Sequence, residues 1–182
     1  EEWAGMGRIV EVLNPFAPVG EVEFRVLDSI ANVSHEGINF SKKFDDTIYF
    51  VDENSSGSIY KFVMAEAGDY TVGQTFVLSV DDFTGAASAG YDTADVRTGA
   101  ATWVPLTDQA GNPLEGIRDP FTDDFGNPNA RAGRDAADDA GGTPYGRPED
   151  MAVGRLGNGN EVLYFTATSE ATVYSVEILE EK

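Results

Sequence analysis

Residues 36–62 read EGINFSKKFDDTIYFVDENSSGSIYKF, and residues 149–176 read EDMAVGRLGNGNEVLYFTATSEATVYSV. With Glu36 placed over Glu149, the apolar Ile38 and Phe40 fall on Met151 and Val153. Past a turn-rich gap, Ile48-Tyr49-Phe50 falls on Leu163-Tyr164-Phe165, and past a second turn Ile59-Tyr60-Lys61-Phe62 falls on Val173-Tyr174-Ser175-Val176. The shared unit is an acid followed by alternating apolar residues, a turn, apolar-Tyr-Phe, a turn, and apolar-Tyr-x-apolar. That is the pattern of three consecutive antiparallel strands in one meander. Repeated meanders of this size predict the blades of a β-propeller, whose first strands line a central channel. The expected fold class is therefore all-β: a partial β-propeller of about three blades at the usual ~40 to 50 residues per blade.

Equivalent positions of different blades converge on one axis. Glu36 and Glu149 are then expected at corresponding ends of inner strands, with carboxylates directed into shared space although 113 residues separate them. Like charges held close repel unless a cation lies between them. Convergent carboxylates thus predict a hard metal, Ca²⁺ above all. The same acids also fit a plainer role as caps on solvent-facing strand ends.

The rest of the chain supplies further short β runs at residues 8–13 (RIVEVL), 21–27 (EVEFRVL) and 74–80 (QTFVLSV). Residues 81–146 differ, being loaded with Gly, Ala, Asp, Thr and Pro and poor in aliphatics. They read as a long irregular insertion within a single propeller domain spanning residues 1–182, with one short helix near residues 129–140 (NARAGRDAADDA). The insertion is expected to pass over the channel mouth and deliver Arg147. Inside it, T-D-x-x-G-N-P occurs at residues 107–113 and again at 122–128. Asx-type turns explain that repeat, and Ca²⁺-binding loops are the alternative.

Composition removes several classes of function. The chain has 182 residues, 41% of them hydrophobic, which suits a packed core. Twelve Lys and Arg stand against 32 Asp and Glu, a net charge of −20 that excludes a nucleic-acid groove and fits solubility in a saline setting. No apolar run approaches the roughly 18 to 20 residues of a membrane span. Without Cys and with a single His, thiolate chemistry and multi-His metal sites cannot be built from these residues.

Several segments together resemble the PhoX-like alkaline phosphatases, a family of large exported β-propellers. They are Ser34-His35-Glu36-Gly37, the hairpin with Tyr49, Phe50, Asp52, Glu53 and residues 57–62, the helical ARAGRDAADDAGG, and Thr143-Pro144-Tyr145-Gly146-Arg147-Pro148-Glu149-Asp150. The opening Glu1-Glu2-Trp3 and residues 7–12 resemble the acidic pair and following strand of that family. The resemblance covers most of the chain. It implies hydrolysis of phosphomonoesters or other small anionic substrates on an axial cluster of Ca²⁺ and iron, in an extracellular or periplasmic protein. Glu2, Glu36 and Glu149 would be metal-ligand carboxylates, and Arg147 would be the catalytic group facing the phosphate.

The resemblance also implies that part of the iron binding comes from an upstream Cys and that further acidic and amide ligands come later. Neither is among these residues, so the chain reads as the middle of a propeller whose partner is the remaining part of the same fold. Alone it is expected to be inactive. A non-catalytic extracellular Ca²⁺-binding propeller used in binding or surface assembly is the alternative, and a lactonase or other hydrolase on a related Ca²⁺ propeller would share the acidic axis without needing Arg147.

Overall fold

The computed structural model describes residues 7–92 and 94–179. The strands are β1 (Ile9–Val12), β2 (Phe24–Leu27), β3 (His35–Phe40), β4 (Thr47–Asp52), β5 (Ile59–Glu66), β6 (Asp69–Val80), β7 (Ala101–Pro105), β8 (Pro148–Arg155), β9 (Glu161–Ala167) and β10 (Thr172–Ile178). Helix α1 spans Ala132–Asp139, and 3₁₀ turns occur at Ala87–Ala89 and Thr168–Glu170. Three antiparallel sheets result: β1-β2, the five-stranded β3-β4-β5-β6-β7, and the three-stranded β8-β9-β10. This is a partial propeller, all-β apart from its one α-helix among the described residues.

Strand β4 explains the layering. All six of its residues are buried, because both faces of the five-stranded sheet are covered. With a side-chain period of two, Ile48 and Phe50 point to one face and Tyr49 and Val51 to the other. The first face packs on Leu27, Ile30, Val33 and Ala136 of α1, and the second on Met151, Val153, Leu163 and Phe165 of the other sheet. Burying side chains of this size stabilises by roughly 1.5 to 3 kcal/mol each.

The expected repeat holds residue by residue. Ile38 pairs with Phe50 as Met151 pairs with Phe165, and Phe40 pairs with Ile48 as Val153 pairs with Leu163. Likewise Phe50 pairs with Tyr60 as Phe165 pairs with Tyr174.

Residues 81–146 are more ordered than their composition suggests. Residues Thr102 to Val104 lie in β7, which pairs with β6, and that strand was not expected. Trp103 secures it, its ring 5.9 Å from that of Tyr49 and 5.1 Å from the Lys61 ammonium. Both T-D-x-x-G-N-P copies form Asx turns: Asp108 Oδ1 accepts from the Ala110 and Asn112 amides, and Asp123 Oδ1 from those of Phe125 and Asn127.

Elsewhere the segment has few apolar anchors, Leu106, Ala136, Ala137 and Tyr145 among them, and ion pairs add to these. Arg118 grips Asp139 through Nε (2.8 Å) and Nη2 (3.0 Å), Arg131 reaches Asp135, and Arg134 forks onto Asp52 with Nε–Oδ2 at 2.6 Å and Nη2–Oδ1 at 2.8 Å. Asp52 is fully buried and also accepts from the Ser34 amide. Burial pushes its carboxyl upward in pKa, and the Arg134 fork opposes that.

Removing one partner of such a pair leaves a buried charge uncompensated. Arg134→Ala should therefore destabilise the protein by about 3 to 5 kcal/mol, read from the midpoint of urea unfolding. Asp138, in the last turn of α1, presents the opposite case. Burial, then the nearby Asp135, raises its pKa to about 6. The folded state thus holds this proton more tightly than the unfolded chain, so stability falls as pH rises from about 4 to 6. Asp138→Asn should be more stable than the parent at pH 7.5, by on the order of 1 kcal/mol or less since the group is half-exposed, and the difference should vanish below about pH 4. Thermal melts at the two pH values check this.

Candidate functional site

Strands β3 and β8 carry the same irregularity. On β3 the register shifts between His35, opposite Asp52, and Ile38, opposite Phe50, so that one extra residue bulges out. On β8 the shift falls between Pro148, opposite Ala167, and Met151, opposite Phe165. Glu36 and Glu149 are the first residues inside these matching bulges. A bulge re-aims a side chain and breaks strict alternation, which is why bulges recur beside functional sites.

The two bulges also touch. Strands β3 and β8 pack side by side, with Asn39 Nδ2 donating to the Met151 carbonyl at 2.7 Å. A Cβ on Gly37 would stand 2.7 Å from Met151 N and 2.9 Å from the Glu149 carbonyl oxygen. Only a glycine permits this approach, and it sets the backbone of Glu149 against the neighbour of Glu36. Glu36 is exposed and Glu149 half-buried. The Glu149 carboxylate accepts from Thr168 Oγ1 at 2.7 Å.

Arg147 arrives from the insertion on a turn wedged between the two sheets. Tyr145 N donates to Gly57 O (2.8 Å) and Arg147 N to Asn54 O (2.9 Å), both in the β4–β5 turn. On the other side, Ser169 N and Thr168 N donate to the carbonyls of Gly146 and Arg147. Arg147 has φ of 56°, a left-handed conformation that costs a non-glycine residue about 1 to 3 kcal/mol and persists only where the surroundings over-determine it. Its side chain is 48% exposed, with Nε 2.9 Å from Glu53 Oε1, Nη2 also on Glu53, and Nη2 3.3 Å from Glu149 Oε1.

Behind the turn lies a polar clamp. The buried Arg97 donates from Nε to the Pro144 carbonyl (2.8 Å) and pairs with Glu170, which accepts from the Gly146 amide and from the Tyr174 hydroxyl. Burial and that Glu170 contact push Tyr174 up to about 12, so it stays a donor. His35 is buried against Phe50, and burial lowers its pKa to about 3, leaving it neutral at ordinary pH.

The structure therefore brings Arg147 and Glu149 into contact and sets Glu36 on the adjoining bulge. Glu2 lies outside the described residues. Among those described, no group of three or more His, Cys, Asp or Glu side chains is placed to hold a metal ion. Glu36 and Glu149 alone fall short of the six to eight oxygens that Ca²⁺ takes, so the described residues do not by themselves make up a metal centre. Missed at the sequence level were the contact of Glu53 with Arg147, Glu53 standing there only as part of the family-like hairpin, and the Arg97–Glu170 clamp. The one signal for Glu53 was its place directly after the buried β run TIYFVD.

The model of the family described as alkaline phosphatase PhoX matches residues 1–181. The chain belongs to the PhoX alkaline phosphatase family. Among solved structures, it is similar to Pseudomonas fluorescens PhoX in complex with vanadate, a transition state analogue, at 19% identity and a TM-score of 0.54. That likeness covers 87% of this chain and 27% of the other, so these residues span about a quarter of that PhoX. At this identity it speaks to the fold. Among curated proteins none matches. Across this PhoX-family chain, no helix among the described residues is long and apolar enough to cross a membrane.

The contact at Gly37 yields a test. Gly37→Ala should force β3 and β8 apart and destabilise by about 1 to 3 kcal/mol, as overpacking does, whereas Gly154→Ala, whose added Cβ meets nothing closer than 3.3 Å, should cost less. Urea midpoints of the two variants compare them directly.

Proposed function

We propose that this chain forms the phosphate-facing part of an exported, metal-dependent phosphomonoesterase, extracellular or periplasmic, acting on a phosphomonoester or a similar small anion. The observation that carries the reading is Arg147. It is half-exposed, strained in its backbone and held on both sides, at the junction of two inner-strand bulges that each bear a glutamate. Family membership supports the reaction class.

In this reading Arg147 binds and orients the phosphoryl group. A planar guanidinium offers a fixed fork of donors to phosphate oxygens, stays charged at any working pH, and strengthens its hold as charge develops on those oxygens. Glu149 limits where the guanidinium can swing, and the Arg97–Glu170 clamp keeps the turn itself from relaxing. Glu2, Glu36 and Glu149 are the proposed carboxylate donors for Ca²⁺, with iron a further ion of the whole protein. Bound there, such ions would supply charge neutralisation. The remaining donors, and the rest of the propeller as partner, would come from residues beyond these 182.

The test is made in the intact phosphatase with a chromogenic phosphomonoester. Arg147→Ala should lower kcat/KM by about 10²- to 10³-fold, the range typical for losing one charge-stabilising donor, and Arg147→Lys should recover only part because it lacks the fork. An unchanged kcat/KM in Arg147→Ala would remove Arg147 from the site.

A further inference from the structure

Asp52, the last residue of β4, and Glu53, directly after it, each hold an arginine, one within the insertion and one directly after it. Asp52 takes Arg134 of α1, and Glu53 takes Arg147. The first pair anchors the helix. The second reaches the half-exposed guanidinium on which the proposed function rests.

We propose that Glu53 is a positioning residue that fixes the Arg147 guanidinium for phosphate. Its side chain is 6% exposed, and its backbone, directly after β4, is tied to the entry of β3 by its amide, which donates to the Ser34 carbonyl at 2.8 Å. Oε1 accepts from Nε and from Nη2 of Arg147. Nε is the nitrogen that sets the plane of the guanidinium, and holding it against a buried acceptor stops rotation about the end of the side chain. Glu149 meets the same Nη2 from the second sheet, 3.3 Å away.

Glu149 cannot replace this hold. Its carboxylate is more exposed than that of Glu53 and already accepts from Thr168. An exposed carboxylate partner contributes little against solvent screening, whereas the largely buried Glu53 keeps its grip. Glu53 therefore acts on the reaction through Arg147 and has no contact with substrate of its own. Because the inference rests on Arg147 facing phosphate, its test must separate the two ideas.

A double-mutant cycle in the intact phosphatase does so, reading kcat/KM on a chromogenic phosphomonoester and the inhibition constant of inorganic phosphate. Glu53→Ala should lower kcat/KM about tenfold or more and weaken phosphate inhibition in parallel, since small misplacements of a reacting group are costly. Glu53→Gln, whose amide oxygen can still accept from Nε, should fall between Glu53→Ala and the parent. Placed in an Arg147→Ala background, either Glu53 change should alter both quantities by less than about twofold, because the group it positions is gone.

Effects that multiply independently would show that Glu53 acts without Arg147 and would overturn the proposal. So would a Glu53→Ala variant with parental kcat/KM beside a strongly impaired Arg147→Ala. An unimpaired Arg147→Ala would instead sink the reading of Arg147 itself, and this inference with it. Should Glu53→Ala fail to fold, as its urea midpoint would reveal, the Glu53→Gln arm of the same cycle decides.

Discussion

A carboxylate buried at the end of the most buried strand must be neutralised, and Arg134 is what neutralises Asp52. Much of the arrangement around the candidate site follows from that requirement. Arg134 sits in α1, so the pair draws the helix onto the five-stranded sheet, where Gly133 donates to the Asn32 carbonyl and accepts from the Tyr60 hydroxyl. Ala136 and Ala137 then fill the remaining space against the core. With α1 fixed, the chain leaving it through Gly141 and Gly142 returns along the β4–β5 turn. It has little freedom left before it reaches Arg147. The position of a surface arginine is thus set by a charge pair in the interior some residues earlier.

The sheets were legible in the sequence because their signal is periodic. Ile48-Tyr49-Phe50 belongs to a continuous apolar run, as a strand buried on both faces requires, whereas Leu163 and Phe165 are buried around an exposed Tyr164, the alternation of a strand with one open face. The repeat also located Glu36 and Glu149 at equivalent places, and the paired registers agree with it to the residue. What alternation could not reveal was the bulge. An extra residue at Glu36-Gly37 and at Glu149-Asp150 leaves the composition unchanged and appears only once the partner strand fixes the count.

The insertion was misread in part for a different physical reason. Low aliphatic content signals the lack of an apolar core, and residues 81–146 indeed have little core of their own. Yet each arginine within them is matched to an acid: Arg97 with Glu170, Arg118 with Asp139, Arg131 with Asp135 and Arg134 with Asp52. Two of those acids lie outside the segment and far away in sequence, Asp52 at the end of β4 and Glu170 in the 3₁₀ turn after β9. Long-range ion pairs leave no local period to detect, so a segment ordered by them looks the same as a solvated loop. Strand β7 escaped notice likewise, since Trp103 and Val104 are its main apolar residues.

An acidic chain poses a particular problem for an arginine proposed to meet an anion. With 32 acids against 12 cations, a guanidinium on the surface is attracted to many carboxylates, and its direction is decided by competition among them. Exposed acids compete weakly because water screens them, and a largely buried one competes strongly because it is screened less. Burying the Glu53 side chain just past β4 thus gives Arg147 a partner that water screens little. The orientation of that side chain is inherited from the strand whose both faces form the core. Any change that loosens the packing of the two sheets on β4 therefore moves the guanidinium as well, without touching it.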